Sequence, residues 1–203
     1  MKFKILLLSA AAVSLITGCQ AVADNHIKID LKTLQKQQEL LETYTYEDYQ
    51  HLYEQVFAEA DEIKVAHEKI RKWVIRELTN EALFYETDLT QEQVLHLAQQ
   101  SMKEDETWKK IAMEEYGVTV TEEEVDTFIQ EGPDTSTLPQ HHAFAEAMGM
   151  SLEDLNHTYD RDLYEKHAMW DKLKEVLEKE YGTSDNNELV QRYNEEVENR
   201  LDS

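Results

Sequence analysis

Glycine and proline are scarce in this chain, and their scarcity limits the folds that the chain can adopt. Five glycines and two prolines occur in 203 residues, which is too few for the many tight turns of sheets and barrels. Residues that favour helices, namely Glu, Leu, Ala, Lys and Gln, dominate the composition. The sequence therefore predicts an all-α fold.

Three glycines are placed where helices are expected to end. Each follows a large apolar residue and precedes a short spacer, a hydroxyl residue and acids, in the segments 116–122, 148–153 and 181–185. Glycine adopts the left-handed conformation that closes a helix, and a hydroxyl oxygen can accept hydrogen bonds from the first N–H groups of the next helix. Two pairs have the spacing of a capping box, Thr121 with Glu124 and Thr90 with Gln93. These patterns predict a helix end followed by a helix start.

Apolar residues recur at helical spacing along several segments. One stripe predicts a single long final helix and consists of Leu152, Leu155, Tyr159, Leu163, Trp170, Leu173, Leu177 and Tyr181. Two further stripes cover 63–78 and 94–113, the second with a predicted break near Asp105. The segment 132–139 is the one clear loop of the sequence.

The N-terminal segment has the order of a secretion signal. Lys2 and Lys4 precede an apolar run over 5–16, and the only cysteine, Cys19, follows. The run is too short to span a bilayer as a permanent helix, so we interpret it as a signal removed on export. Residues 15–19, Leu-Ile-Thr-Gly-Cys, resemble the lipobox of bacterial lipoproteins, which implies that Cys19 carries a diacylglyceryl group. An ordinary secretory signal that contains a cysteine is the alternative.

Four segments are expected from these patterns. They are a lipoprotein signal peptide over 1–18, a flexible lipid-anchored tether over 19–30, a helical domain over 31–183, and a polar C-terminal helix or tail over 184–203 that frays. We expect the mature chain to lie on the extracytoplasmic face of the cell membrane, held there by its lipid. An outer-membrane location stays open if the source is Gram-negative.

The charge of the chain excludes two classes of partner. Forty-three acidic residues stand against 20 basic ones, and loss of the signal peptide, which holds two lysines and no acid, would change the formal charge from -23 to -25. Such a surface repels phosphate backbones and anionic headgroups. We therefore expect no nucleic-acid binding and attachment to the membrane through the lipid anchor only. A single cysteine allows no intramolecular disulfide, so stability must come from a packed core.

The stretch over 94–181 resembles the N-terminal chaperone domain of the SurA and PrsA group, exported helpers of folding whose PrsA members are lipoproteins. The resemblance is carried by 112–126, Ala-Met-Glu-Glu-Tyr-Gly-Val-Thr-Val-Thr-Glu-Glu-Glu-Val-Asp, and by 149–155, Gly-Met-Ser-Leu-Glu-Asp-Leu. It implies a multi-helix domain with a chaperone role. The chain departs from the family because it has no room for a parvulin-type domain, so prolyl isomerase activity is not implied.

Patterns that would indicate an active or metal site are weak. His142 and Glu146 lie four residues apart, beside His141, but a structural zinc ion needs four ligands and a catalytic one needs three. We therefore interpret them as polar residues at a helix start. The sequence contains no serine-centred glycine elbow and no phosphate-binding glycine loop. We expect no catalytic residues, no metal, no cofactor and no enzymatic activity.

Aromatic and methionine side chains are the remaining candidates for binding, because such surfaces repack around varied apolar partners. At helical spacing these residues are more often part of the core. We expect ATP-independent holding of unfolded or partly folded exported polypeptides on a concave apolar surface between the long final helix and the shorter ones. The candidate client-binding residues are Phe128, Phe144, Met148, Met150, Tyr159 and Trp170. The alternative is a structural or interaction lipoprotein that docks one specific envelope partner.

Overall fold

The structure, a computed structural model, describes residues 27–65 and 67–202. Its helices are α1 (Leu34–Thr43), α2 (Tyr46–Glu62), α3 (Glu68–Phe84), α4 (Gln91–Glu114), α5 (Glu122–Glu131), α6 (Pro139–Ala147), α7 (Leu152–Asp154), α8 (Arg161–Tyr181) and α9 (Asn186–Leu201). The predicted all-α fold class is confirmed. The signal peptide, Cys19 and the first part of the tether lie outside the described residues.

Two short segments join the α-helices. A 3-10 turn, Pro133–Thr135, follows α5, and a π-helical turn, Leu155–Tyr159, lies between α7 and α8. Extended pairing within the described residues is limited to one antiparallel bridge between Leu31 and Tyr85. The backbone N–H of Lys32 donates to the carbonyl of Phe84 over 2.8 Å in the same region. This pairing fastens the start of the described chain to the end of α3.

Helix boundaries fall at the residues that the sequence patterns indicated. Thr90 and Thr121 begin α4 and α5 with complete capping boxes, in which side chain and backbone exchange two hydrogen bonds. Gly117, Gly149 and Gly182 have φ angles of 66, 70 and 68°, the left-handed conformation expected after a helix. The junctions at 116–122 and 148–153 are therefore confirmed; at 181–185 the helix ends at Gly182 as predicted, but Asp185 and not a hydroxyl residue caps α9.

Helix α4 continues through the position where a break was predicted, so that prediction is wrong. Asp105 is buried inside the helix, with 8% of its side chain exposed. Its carboxylate pairs with the ammonium groups of Lys109 at 3.2 Å and Lys166 at 3.4 Å. Because two cations compensate the charge of the buried carboxylate, the helix can continue through Asp105 without exposing it to water.

The final helix differs from the single long helix that was predicted. The backbone N–H of Asp160 donates to the carbonyl of Leu155 over 2.8 Å, which is the i to i−5 bond of a π turn. Helix geometry resumes at Arg161 and continues to Tyr181. The apolar stripe is therefore divided between a short initial turn and α8.

Three clusters of buried side chains form the core. The first joins α4, α8 and α9, the second joins α2, α3 and α4, and the third joins α2, α3 and α6. Because α4 contributes Val94 to the second cluster and Trp108 to the first, it connects these two clusters.

Helix α9 is part of this core. Leu189, Tyr193 and Val197 are buried in the first cluster. The Tyr193 hydroxyl donates to the backbone carbonyl of Trp108 over 2.8 Å. The terminal segment that was expected to be a fraying helix or tail thus contributes one of the packed helices.

Candidate binding groove

An open groove with a volume of about 710 Å³ lies along α6 and the residues that flank it, beside the start of α2. It is lined by Tyr46, Thr137, Pro139, His142, Ala145, Glu146, Gly149, Met150 and Leu152. Its volume is in the range of ligand-binding clefts, and its open side would admit a segment of polypeptide. We refer to it as the α2–α6 groove.

Local sequence features place the walls of the groove. Thr45 caps α2 in a capping box with Asp48, so Tyr46 is the first residue of that helix. Pro139 is the first residue of α6, where its fixed φ angle suits a helix start. Gly149, at φ 70°, ends α6 and turns the chain before Met150. The third core cluster, to which both helices contribute, holds the two walls together.

Glu146 forms the polar rim of the groove. Its Oε2 atom accepts a hydrogen bond from the Tyr46 hydroxyl, and its Oε1 atom accepts a longer one, of 3.4 Å, from the Gln50 side chain. The bond to Glu146 raises the pKa of Tyr46. An ionised carboxylate offers about four lone-pair positions, and Glu146 is exposed. It can therefore accept a further donor, including a cation, from a bound molecule.

His142 lies in the groove wall, one turn before Glu146. Its Nε2 atom lies 2.8 Å from the carbonyl oxygen of Ser136, and because a carbonyl can only accept, Nε2 is the protonated nitrogen. The neighbouring His141 is half-buried, and burial lowers its pKa. Within the described residues, no group of three or more His, Cys, Asp and Glu side chains is placed to hold a metal ion.

Two of the six candidate client-binding residues contact each other. The rings of Phe144 and Tyr159 have centroids 5.9 Å apart. Phe144 also packs edge-on against Tyr53 at 4.9 Å and contacts Phe57 at 5.4 Å. These aromatic rings join the third core cluster to the π turn, so their main contacts are with the fold itself.

The other four candidates lie in different places. Phe128 of α5 stacks on His167 at 6.3 Å, and Trp170 of α8 contacts Trp108 at 6.4 Å. Met148 follows α6 as its C-terminal cap, whereas Met150 lines the α2–α6 groove. All six candidates are half-buried. The structure thus brings Met150 to the groove and does not join the six into one surface beside α8.

Sequence reasoning did not connect Tyr46 with Glu146. The two residues are 100 positions apart, and no local pattern indicates a contact over that distance. The tyrosines of α2 formed a visible group in the sequence, but Tyr49 and Tyr53 are buried in the core. Only the position of Tyr46 directly after a capping residue could have distinguished it from them.

A second polar cluster joins α3 to the π turn. The guanidinium of Arg76 donates two hydrogen bonds of 2.9 Å to the carboxylate of Asp162 and one of 2.9 Å to that of Asp160. Lys72 contacts Asp162 over 2.5 Å. Burial alone would raise the pKa of Asp162, but the hydrogen bonds and charge of Arg76 and Lys72 hold it well below its usual value. We refer to these four residues as the α3–α8 ion cluster.

The loop after α5 is tied to the π turn by a buried amide. The Asn156 side chain is fully buried, donates to Asp134 over 2.9 Å and accepts from the Tyr164 hydroxyl over 3.0 Å. His157 also contacts Asp134 at 3.0 Å. Asn156 and His157 thus find their hydrogen-bond partners within the fold. This indicates that the contacts with Asp134 position the loop beside the groove.

Exposed large apolar side chains are few in the part of the chain that the structure describes. They are Leu31, Leu34, Leu41, Met113, Leu138 and Val190. Leu138 is 43% exposed and lies between two groove-lining residues in the sequence, but it is not itself part of the groove lining. No helix of the described chain is long and apolar enough to cross a membrane.

Comparisons of this chain with protein-family models, curated proteins and solved structures found no match. The resemblance to the SurA and PrsA chaperone domain thus stays a prediction that depends on 112–126 and 149–155.

Proposed function

We propose that this chain is an extracytoplasmic, lipid-anchored, chaperone-like protein that holds unfolded segments of exported polypeptides without ATP. The client segment would occupy the α2–α6 groove. The observation that supports this proposal is the open shape of the groove together with its mixed apolar and polar lining. A closed apolar cavity would favour a small ligand, whereas an open groove of this kind suits a chain that passes along a surface.

The apolar part of the groove would receive a client side chain. Pro139, Ala145, Met150 and Leu152 provide aliphatic surface there. Methionine is unbranched and polarisable, so Met150 can adapt to side chains of different shape. Such adaptability suits a protein that binds many unrelated sequences weakly.

The polar rim would select the charge of the client. Glu146 is an exposed carboxylate at the edge of the apolar surface, and the chain as a whole carries a formal charge of -23. Opposite charge raises association rates and disfavours acidic partners. We infer that preferred clients have a lysine or arginine next to an apolar side chain, and that binding weakens as salt increases.

The test is suppression of aggregation by the mature chain, with Cys19 replaced by serine so that it is soluble without lipid. At near-stoichiometric ratios it should suppress the aggregation of a reduced, denatured model protein. Met150→Asp should reduce suppression because it places a charge on the apolar surface of the groove. The matched control is Met113→Asp, since Met113 is 51% exposed and does not line the groove. Absence of suppression at several-fold excess, or equal losses in both variants, contradicts the proposal.

One observation favours the alternative of a lipoprotein that docks a single envelope partner. Five of the six candidate client-binding residues lie away from the groove lining and are half-buried in contacts with the fold. Crosslinking in intact envelopes separates the two functions. Many unrelated exported chains, captured before they fold, support holding, whereas one stoichiometric folded partner supports docking.

A further inference from the structure

Helix α1 exposes apolar side chains that the fold does not use. It contains no buried residue, and three of the six exposed large apolar side chains of the described structure are Leu31, Leu34 and Leu41. Leu34 is 82% exposed and Leu41 is 51% exposed. Because two helical turns separate them, Leu34 and Leu41 project from the same side of the helix. We call Leu34 and Leu41 the α1 leucine face; Leu31 precedes the helix, in the bridge to Tyr85.

The other side of α1 is fastened to the fold, so the leucine face has a defined position. Leu40 packs against the third core cluster. The Gln37 side chain donates to the carbonyl of Lys32 over 2.8 Å, and the Lys32 ammonium in turn donates to the carbonyl of Ala82 in α3 over 2.7 Å. The exposed leucines thus lie on a helix whose opposite side packs against the fold through Leu40.

The lipid anchor limits how far α1 can lie from the membrane. Seven residues lie between Cys19 and Ile27, where the described chain begins. The eight Cα–Cα steps from Cys19 to Ile27 reach at most about 29 Å when fully extended, and α1 starts seven residues further on. This step depends on the lipidation of Cys19 that is part of the proposed function. Under that condition, the first helix after the anchor is held close to the bilayer surface.

The charge of this segment permits contact with lipid headgroups. Residues 27–43, which end with α1, contain three lysines and three acids, so the segment is neutral in a chain whose formal charge is -23. Lys28 and Lys36 pair with Asp30 and Glu86 at the surface, where ion pairs are weak and can be exchanged for lipid phosphates.

We propose that the α1 leucine face lies on the phospholipid bilayer beside the lipidated Cys19. The leucines enter the boundary between headgroups and acyl chains, and the contact adds apolar area to the covalent anchor. Because α1 is packed on the fold, this second contact fixes the orientation of the helical body relative to the membrane. The lipid would then be one of two attachment points, in place of the single one expected from the charge of the whole chain.

The experiment uses the mature lipidated chain reconstituted in phosphatidylcholine vesicles. Acylation blocks Cys19, so a cysteine introduced by Leu41→Cys is the only site for a fluorophore. The matched control is Met113→Cys, because Met113 is also 51% exposed but lies in α4. Vesicles that contain a nitroxide in the upper acyl region should quench the fluorophore at position 41 several-fold more than the one at 113.

Each other outcome overturns the proposal. Equal quenching at both positions means that the leucine face has no special contact with lipid. Absence of quenching at 41, with self-quenching that increases with protein density, means that a second copy covers the face. Aggregation suppression is measured on the same samples, so its loss or retention reports on the holding function separately.

Discussion

Arg76 shows at the scale of one residue how the interruption of the last helix is stabilised. Its planar guanidinium bonds to both oxygens of Asp162 and also to Asp160, a geometry that lysine cannot reproduce. Only 13% of the Arg76 side chain is exposed, with 16% for Asp160 and 28% for Asp162. Removing the cation would therefore leave two largely buried carboxylates with Lys72 as their remaining cation.

Arg76→Ala is expected to lower the free energy of unfolding by about 3 kcal/mol, because uncompensated buried charges are costly. Urea denaturation followed by tryptophan fluorescence measures this loss. Arg71→Ala is the matched control on the same helix, since Arg71 pairs with Asp61, which is 67% exposed. The control should cost less than about 1 kcal/mol. Equal costs in the two variants would show that the α3–α8 ion cluster has no special role.

Interactions between residues close together in the sequence could be predicted, whereas interactions between residues far apart in the sequence could not. Thr90 and Thr121 cap helices through partners three positions away, so a local pattern contains the whole interaction. Asp105 was misinterpreted as a helix break because its burial depends on α8, which supplies Lys166, although its other partner, Lys109, is only four residues away. The contact of Tyr46 with Glu146 escaped prediction for the same reason.

At the scale of elements, α9 shows how a polar helix can belong to the core. Its buried residues, Leu189, Tyr193 and Val197, recur every four positions, while the positions between them are mostly polar. The four-residue spacing of this stripe can be found in the sequence. The segment as a whole is polar, however, and for that reason a fraying helix or tail was predicted. The π turn is different, because it depends on the buried Asn156 and its partners on the loop and on α8.

Leu189→Ala is expected to destabilise the protein by about 3 kcal/mol, since the side chain is fully buried and its loss leaves a cavity. The adjacent Val190 is 36% exposed, so Val190→Ala should change stability by less than about 0.5 kcal/mol. Thermal or urea unfolding of both variants compares the two faces of α9 directly. If both substitutions have small effects, α9 does not contribute to the folded core in solution.

At the scale of the whole molecule, buried carboxyl groups and charge repulsion favour the fold as the pH falls, whereas burial lowers the pKa of His141 and His167, whose contribution to stability is lost below about pH 6.5. Burial raises the pKa of Glu77, Glu104 and Asp160 in the folded protein. A carboxyl group with a raised pKa binds its proton more tightly when folded, so stability increases as the pH falls toward its unfolded pKa. Repulsion within a chain of formal charge -23 also weakens as carboxylates are protonated.

Because three buried carboxyl groups and the repulsion of the net charge together outweigh the two histidines, we expect the free energy of unfolding to be higher at about pH 5 than at about pH 7.5, and to fall below about pH 4. The fall at low pH follows from Asp162, whose lowered pKa stabilises the fold only while its carboxylate stays ionised. Glu77→Gln should reduce the gain between pH 7.5 and 5, because Glu77 is 5% exposed and bonded to Ser101. Glu175→Gln, which removes an equal charge from an exposed site on α8, should leave that gain nearly unchanged. A stability that is constant or rises from pH 5 to 7.5 would mean that buried carboxyl groups do not control the pH response.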